Sequence, residues 1–441
     1  MKYAVVTFGC RVNQADSLAI ESQLLDAGGE PVPADHADLV IVNTCSVTAS
    51  ADQGARQTIR RVARTNPAAT IVVTGCYATR EPEQVAALPN VARVVGNAEK
   101  DRLLLLDRAI DARELASGDA LTLTTAERFG AGDGSCGAAL EPGAAGRTSF
   151  TLRVQTGCAE PCSYCIIPST RGAPSSRPIA RVLADVRRAA GAGFKEITLT
   201  GVHLGSYGRD LPRPTTLDAL MVALRDLAIE LAGSGQQVMF RVSSLEPMDC
   251  SADVVALVRE STCFAPSFHL PLQHGSPRML TAMRRPYDLA YYARVVDSIR
   301  NGIPNASIGS DLIVGFPGET DDDFEQLATY VEGSPLTQVH VFPYSDRPGT
   351  EASAMRGRPS GEVVKARGAR LRAIGAALNR RFVESQVGTV HRALTLEGGT
   401  VALTGNYLKV RIPPGLPRNV WVDLRVTGAA PVPSGEVLRS V

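Results

Sequence analysis

"TLRVQTGCAEPCSYCIIP", residues 151–168, runs an apolar, strand-like segment straight into three cysteines at positions 158, 162 and 165. Their spacing is C-x3-C-x2-C. Three thiolates this close can each take one iron of a 4Fe-4S cube, with the short loop wrapped around it. One iron then lacks a protein ligand, unlike the irons of a four-cysteine electron-transfer cluster. A zinc site with its fourth ligand elsewhere is the alternative reading of the same cysteines.

The context of the loop bears on that choice. Strands are expected at "EITLTG" (196–201), "VMFRVSS" (238–244), "FHLPLQ" (268–273), "SIGSDLIVGF" (307–316) and "QVHVFPY" (338–344), with helical patterns between them. Six βα units over about 230 residues predict a partial or full parallel barrel. An open doubly wound sheet is the alternative. Barrel chemistry sits at the C-terminal strand ends, and the cysteine loop leaves its strand at such an end.

Upstream, "YAVVTF" (3–8), "DLVIVNT" (38–44) and "TIVVTG" (70–75) are β-branched runs. "ADSLAIESQLLDAG" (15–28) and "ADQGARQTIRRVART" (51–65) are amphipathic helices between them, which makes a βα series and a parallel sheet. Cys10, Cys45 and Cys76 each follow one of these strands, 35 and 31 residues apart, about one βα repeat. Parallel strands end on one edge, neighbours lie about 4.8 Å apart, and that edge is where such sheets bind ligands. Three cysteines distant in sequence can therefore converge. Buried small residues are the other reading. Asn13 and Asn43 suit either the lining of that site or turns and helix caps.

With 441 residues the chain exceeds one ordinary core, and 44% hydrophobic with 21% charged residues is globular composition. The net charge of +1 gives no bulk electrostatic argument for nucleic acid, so any such argument rests on local patches. "MKYAVVTFGC" lacks the apolar core and cleavage site of a signal peptide, and the apolar runs are too short to span a bilayer. A soluble cytoplasmic protein is expected. Nine cysteines, an odd number, argue against a disulfide framework. Cys136, Cys250 and Cys263 lie outside any ligand spacing and are read as non-ligands. The Gly- and Ala-rich stretch 113–147 reads as a flexible linker. From about 383, "VGTVHRALTLEGG", "TGNYLKVRIPP" and "NVWVDLRVTG" form a small all-β module near the size of an OB-like barrel.

An open iron can bind the amine and carboxylate of S-adenosylmethionine, whose sulfonium then accepts an electron. Cleavage gives a deoxyadenosyl radical able to attack C–H bonds that no acid or base ionises. The cysteine loop, "LTGVHLGSYGRD" (199–210), "RVSSLEP" (241–247), "HLPLQHGSPRMLTAMRRPY" (269–287), "IGSDLIVGFPGETDDDF" (308–324) and "FPYSDRPGT" (342–350) together resemble the radical-SAM methylthiotransferases. The resemblance covers nearly the whole chain. "TFGCRVNQAD" (7–16), "NTCSVTASADQGARQTIRR" (43–61) and "VVGNAEK" (94–100) are most similar to the branch acting on N6-threonylcarbamoyladenosine in tRNA.

That resemblance implies an α/β architecture in three parts. They are an N-terminal parallel βα sheet domain (1–112), a radical-SAM partial (β/α)6 barrel (148–378) and a C-terminal TRAM-type RNA-binding barrel (379–441). It implies two 4Fe-4S clusters, one on Cys158, Cys162 and Cys165 and one on Cys10, Cys45 and Cys76, whose open iron holds the sulfur to be inserted. It further implies tRNA as substrate, and an electron donor such as flavodoxin or ferredoxin. The reaction is methylthiolation at C2 of the modified adenosine at position 37. The branch for isopentenyladenosine and the relative that modifies a ribosomal protein are the nearest alternatives; a non-catalytic iron-sulfur RNA-binding or redox-sensing protein is the alternative from another class.

For S-adenosylmethionine, Thr200 and Gly201 resemble the amine-contacting strand end, while Ser243, Ser244 and Gln273 suit ribose or carboxylate and Gly315 suits close approach of adenine. Each fits an ordinary strand end equally well. Asp311 and Glu319 are expected on the active face, and His203, His269 and His274 in structural roles. Arg56, Arg60 and Arg64 share a helix face, with Arg61 beside it. The segment 356–381 carries eight Lys/Arg, Arg370 among them, against Glu362, and residues 380–441 carry net +4. Such patches suit phosphates or are merely solvated faces. Tyr407, Lys409 and Trp421 are candidate base or phosphate contacts, the two aromatics being equally suited to a core.

Overall fold

The computed structural model describes residues 1–103 and 148–440. The expected linker and Cys136 lie outside the described residues. The chain divides into two units: residues 1–103 belong to the first together with Thr156–Ala159 and Cys165–Ala173, while Glu160–Tyr164 and Pro174 onward belong to the second.

In the first unit β1 (Lys2–Thr7), β2 (Glu30–Pro31), β3 (Leu39–Thr44), β4 (Thr70–Gly75) and β5 (Val91–Val95) form a parallel sheet in the order β2-β1-β3-β4-β5. Strand β3 is buried throughout, and its alternation feeds two cores. Val40 and Val42 pack with Ala55, Ile59 and Val62 of the helix Ala49–Thr65. Leu39 and Ile41 pack with Ile20 and Leu24 of the helix Arg11–Asp26. Helices on both faces explain why the strands read as unbroken apolar runs. The 2-1-3-4-5 order is doubly wound, and its topological switch point falls between β1 and β3.

The second unit opens with β6 (Ser149–Arg153), followed by the two-residue strands β7 (Gln155–Thr156) and β8 (Ser175–Ser176). Then come β9 (Glu196–Thr200), β10 (Met239–Val242), β11 (Ser267–His269), β12 (Ser307–Val314) and β13 (Gln338–Pro343). The long strands form two parallel runs, β10-β9-β6 and β11-β12-β13. A parallel bridge from Phe240 to Phe264, just ahead of β11, relates the two runs. The strands follow chain order, β6-β9-β10 and then β11-β12-β13, with no reversal such as a doubly wound sheet requires, so the partial (β/α)6 barrel replaces the open-sheet alternative.

Residues 390–440 form a closed barrel, β14 (Val390–Leu396), β15 (Val401–Thr404), β16 (Lys409–Arg411), β17 (Trp421–Gly428) and β18 (Ser434–Ser440), around Ala393, Val410, Val422, Leu424 and Val426. It is reached through one helix, Gly361–Ser385, that runs unbroken across the expected boundary at 378/379. Trp421 is buried and donates its indole N–H to the Gln237 carbonyl at 3.2 Å. It packs with Met239, Ala265 and Leu394, so it joins this module to the barrel and is no base-stacking platform. Among the described residues, no helix is long and apolar enough to cross a membrane.

Candidate active site

Strand register places the N-terminal thiols. Thr7 pairs with Asn43, and Thr44 with Gly75, so Cys45 and Cys76 leave β3 and β4 at the same level and Cys10 leaves β1 beside them. All three therefore stand at the carboxyl edge of the sheet, at the switch point. Cys10 is exposed, whereas Cys45 and Cys76 are buried. Burial first, then the neighbouring Cys10 and Cys76, push the Cys45 thiol up to about 11. Backbone is cut back to make room. Gly9 takes φ +92°, and a Cβ there would stand 2.5 Å from the Cys45 sulfur. Gly75 takes φ +95°, with a Cβ 2.2 Å from the Thr44 carbonyl oxygen.

Polar side chains line this edge. Asn13 Nδ2 donates to the Phe8 and Thr44 carbonyls at 2.7 and 2.9 Å, which ties β1 to β3. Asn43 Nδ2 donates to the Asn13 carbonyl at 2.9 Å. Both asparagines thus tie β1, β3 and the first helix together, and neither serves a turn or a helix cap. Asn43 Oδ1 and Ser46 Oγ are buried with no partner among the described residues. Such atoms are costly unless a ligand meets them. Three convergent thiols with orphaned polar atoms beside them fit a cluster with three protein ligands.

The same unit holds a buried ionic group. Asp16 pairs with Lys100 and, at 3.3 Å, with Arg171, each side chain no more than 3% exposed. Removing one partner of such a pair strands buried charge. Asp16→Ala is therefore expected to lower the stability of this unit by about 3–5 kcal/mol. Hydrogen exchange of the β3 and β4 amides checks it, because core strands report the global opening. Exchange unchanged from wild type would refute the prediction.

The second set of cysteines emerges between β7 and the short helix Ile167–Arg171. All three are half-buried. The Cys158 amide donates to the Gly172 carbonyl at 3.1 Å. Arg285, itself buried, donates to the Cys162 sulfur at 3.2 Å and also pairs with Glu246. The following Ser163 is fixed by its amide on the Met283 carbonyl at 3.2 Å and its hydroxyl on the Ala282 carbonyl at 2.7 Å.

At the end of β9, Gln155 Oε1 accepts from the amides of Val202 and His203, both at 2.9 Å, and so shapes the loop after Thr200 and Gly201. A Cβ on Gly201 would meet Leu204 at 2.7 Å and Gln155 Oε1 at 3.0 Å, which accounts for that glycine.

Residues 2–96 match the family model described as uncharacterized protein family UPF0004, and residues 152–331 match the radical SAM superfamily. The chain is 35% identical over 415 residues to the threonylcarbamoyladenosine tRNA methylthiotransferase MtaB of Aquifex aeolicus, covering 93% of this chain and 96% of that one. The chain belongs to the radical-SAM methylthiotransferase family. It is also 33% identical to the tRNA-2-methylthio-N(6)-dimethylallyladenosine synthase of Streptomyces avermitilis, covering 90% of this chain and 76% of that one. Among solved structures it is similar in fold to the radical S-adenosylmethionine methyltransferase TsrM of Kitasatospora setae, with TM-score 0.56, 16% identity, and coverage of 80% and 73%.

For this methylthiotransferase the structure sorts the remaining candidates. Ser243 and Ser244 continue from the end of β10, and the Ser243 amide bonds to the Leu199 carbonyl at 3.0 Å. Gln273, at φ +70°, bridges to β12 through the Asp311 carbonyl at 2.9 Å. Gly315 is otherwise explained than by approach of adenine. Its φ is +79°, and Val364 fills the space a Cβ would take, at 2.5 Å. Glu319 does not serve an open active face: it is buried, accepts from the amides of Gly315 and Phe316, and pairs with Arg367 at 2.9 Å. His203 is anchored by Asp249 at 2.8 Å, and His274 is buried, with its pKa pushed down to about 4 by burial. Both therefore keep their expected structural roles. His269 differs: it lies 3.0 Å from Asp311, and the pairing of Asp311 with His340 puts all three on one face of β11-β12-β13. His340 was legible only through that register.

The basic candidates divide. Arg60 and Arg64 are exposed, while Arg56 donates to the Tyr77 hydroxyl at 3.0 Å. Arg370 is exposed but pairs with Glu325 on the helix Asp321–Gly333, so part of its charge is neutralised. Arg367 is buried, so the 356–381 run is no continuous phosphate-binding face. Tyr407 is 39% exposed, with Arg241 over its ring at 4.6 Å, and Lys409 is exposed on β16.

Sequence reasoning passed over Arg171, Asp16, Lys100 and Arg285. Only the placement of Arg171 six residues after Cys165, and of Arg285 in "MRRPY", offered a signal.

Proposed function

We propose that this radical-SAM tRNA methylthiotransferase acts on N6-threonylcarbamoyladenosine at position 37 of tRNA, placing a methylthio group on C2 of the adenine. One observation carries the choice of branch. The chain spans 96% of the Aquifex MtaB but 76% of the Streptomyces dimethylallyladenosine synthase, at 35% and 33% identity. Length correspondence separates the branches where identity does not.

Two 4Fe-4S clusters and S-adenosylmethionine supply the chemistry. In this reading Cys158, Cys162 and Cys165 hold the cluster that reduces the sulfonium, and Cys10, Cys45 and Cys76 hold the one that carries sulfur. The chain's own residues position these groups. Arg285 donates to Cys162, a bond from a charged donor that fixes the position of the sulfur. Gln155 fixes the loop following Thr200 and Gly201, where the methionyl amine is expected. Arg60, Arg64, Lys409 and the small closed barrel, read as a TRAM module, supply the tRNA contacts. We infer that an electron donor such as flavodoxin or ferredoxin serves it, and that it works on tRNA in the cytoplasm.

Nucleoside mass spectrometry of tRNA tests the substrate. Deleting the gene is expected to remove 2-methylthio-N6-threonylcarbamoyladenosine and leave its unthiolated parent in its place. Loss of the methylthio form of isopentenyladenosine instead would move the enzyme to the other branch.

A further inference from the structure

The helix Ile167–Arg171 follows the third cysteine of the C-x3-C-x2-C loop, and its last side chain is directed to the edge that carries the other three thiols. We propose that Arg171 is a positioning residue for the sulfur-carrying cluster, a fixed positive charge that donates hydrogen bonds toward its sulfur atoms. This rests on the reading that Cys10, Cys45 and Cys76 hold a 4Fe-4S cluster.

Three observations carry it. First, the side chain is 1% exposed and pinned from both terminal nitrogens. One donates to Thr156 Oγ1 at 3.2 Å, and the other to Asn13 Oδ1 and to Asp16 Oδ2, the latter at 3.3 Å. A planar guanidinium held this way has one orientation. Second, Arg171 lies close to all three thiols, Cys10, Cys45 and Cys76, with Cys76 within its hydrogen-bonding reach. Cys76 is reached from a further side as well, by Asn97 Nδ2 at 3.5 Å, and the same amide donates to the Thr170 carbonyl at 2.8 Å. The segment that places Arg171 and the thiol it faces are thus clamped by one side chain. Third, the carboxylate that Arg171 reaches is shared with Lys100. That shared carboxylate is one more contact that fixes the guanidinium in place. A 4Fe-4S core with three thiolates carries net negative charge and becomes more negative on reduction, so a fixed guanidinium beside it favours the reduced state.

The test uses the full chain with Cys158, Cys162 and Cys165 changed to alanine, so that only the N-terminal cluster is observed. With 15N-arginine incorporated, pulsed EPR of the reduced cluster is expected to show a 15N coupling that Arg171→Lys removes. Redox titration is expected to show Arg171→Gln lowering the equilibrium constant for one-electron reduction at least tenfold, about 59 mV. Arg171→Lys, which keeps the charge, stays within threefold of the parent. If the parent binds no cluster, the cluster reading falls and this inference with it. If it binds four irons but shows no arginine coupling, the inference alone is overturned. A loaded Arg171→Gln with unchanged potential overturns it equally, leaving Arg171 as a structural pin.

Discussion

Cys162→Ala is expected to abolish reductive cleavage of S-adenosylmethionine, with 5′-deoxyadenosine falling by at least about 10⁴-fold under strong reductant. Homolysis of a sulfonium has no acid or base route to fall back on, so loss of the cluster removes the reaction and does not merely slow it. Two thiolates cannot hold a cube that three hold with one iron already open. Removing the sulfur also leaves Arg285, a buried cation, without the acceptor it meets at 3.2 Å, although Glu246 still pairs with it. The barrel therefore stays folded while the cluster is lost. Iron is expected to fall from about eight to about four per chain, because the cysteines of β1, β3 and β4 stand on a separate sheet. Anaerobic iron analysis and product chromatography measure both. Undiminished deoxyadenosine would sink the assignment of Cys162.

Physical range decides which parts of this were legible in sequence. The C-x3-C-x2-C loop is local, so its chemistry is written in consecutive residues. The sheet edge bearing Cys10, Cys45 and Cys76 is not local, but its period is, because one βα unit sets both the residue spacing and the strand spacing. Strands β3 and β4 show as β-branched runs since both faces are buried. The buried ionic group left no such trace. Arg171 and Asp16 are 155 positions apart, and neither sits in a pattern that periodicity detects. The basic run at 356–381 failed for a related reason. Its partners Glu319, Asp321 and Glu325 come from another part of the chain, and helix-to-helix register cannot be counted from either sequence alone. At Gly315 a missing side chain looks the same in sequence whether adenine or Val364 fills the space.

Cys45→Ala provides the complementary separation. Formation of 5′-deoxyadenosine is expected to stay within about threefold of wild type, while the methylthio product falls by at least about 10³-fold. Cys45 leaves the central strand β3, flanked on either side by the strands that lead to Cys10 and Cys76, so its loss would remove the middle one of the three proposed ligands. The substitution is sterically mild. Alanine is smaller than cysteine, and only a side chain added at Gly9 would reach the space beside that sulfur. Buried thiol to methyl leaves β3 and its two cores in place, and S-adenosylmethionine cleavage at the other cysteine set would continue with no sulfur to insert. Iron is expected to fall from about eight to about four per chain, as for Cys162→Ala, but with the opposite activity retained. Cys250→Ala, at a buried cysteine of the second unit, controls for loss of a thiol as such and is expected to keep all the iron and both activities. A Cys45→Ala enzyme that still forms the methylthio nucleoside, or keeps about eight irons, would mean that the three converging thiols of the N-terminal sheet hold no cluster.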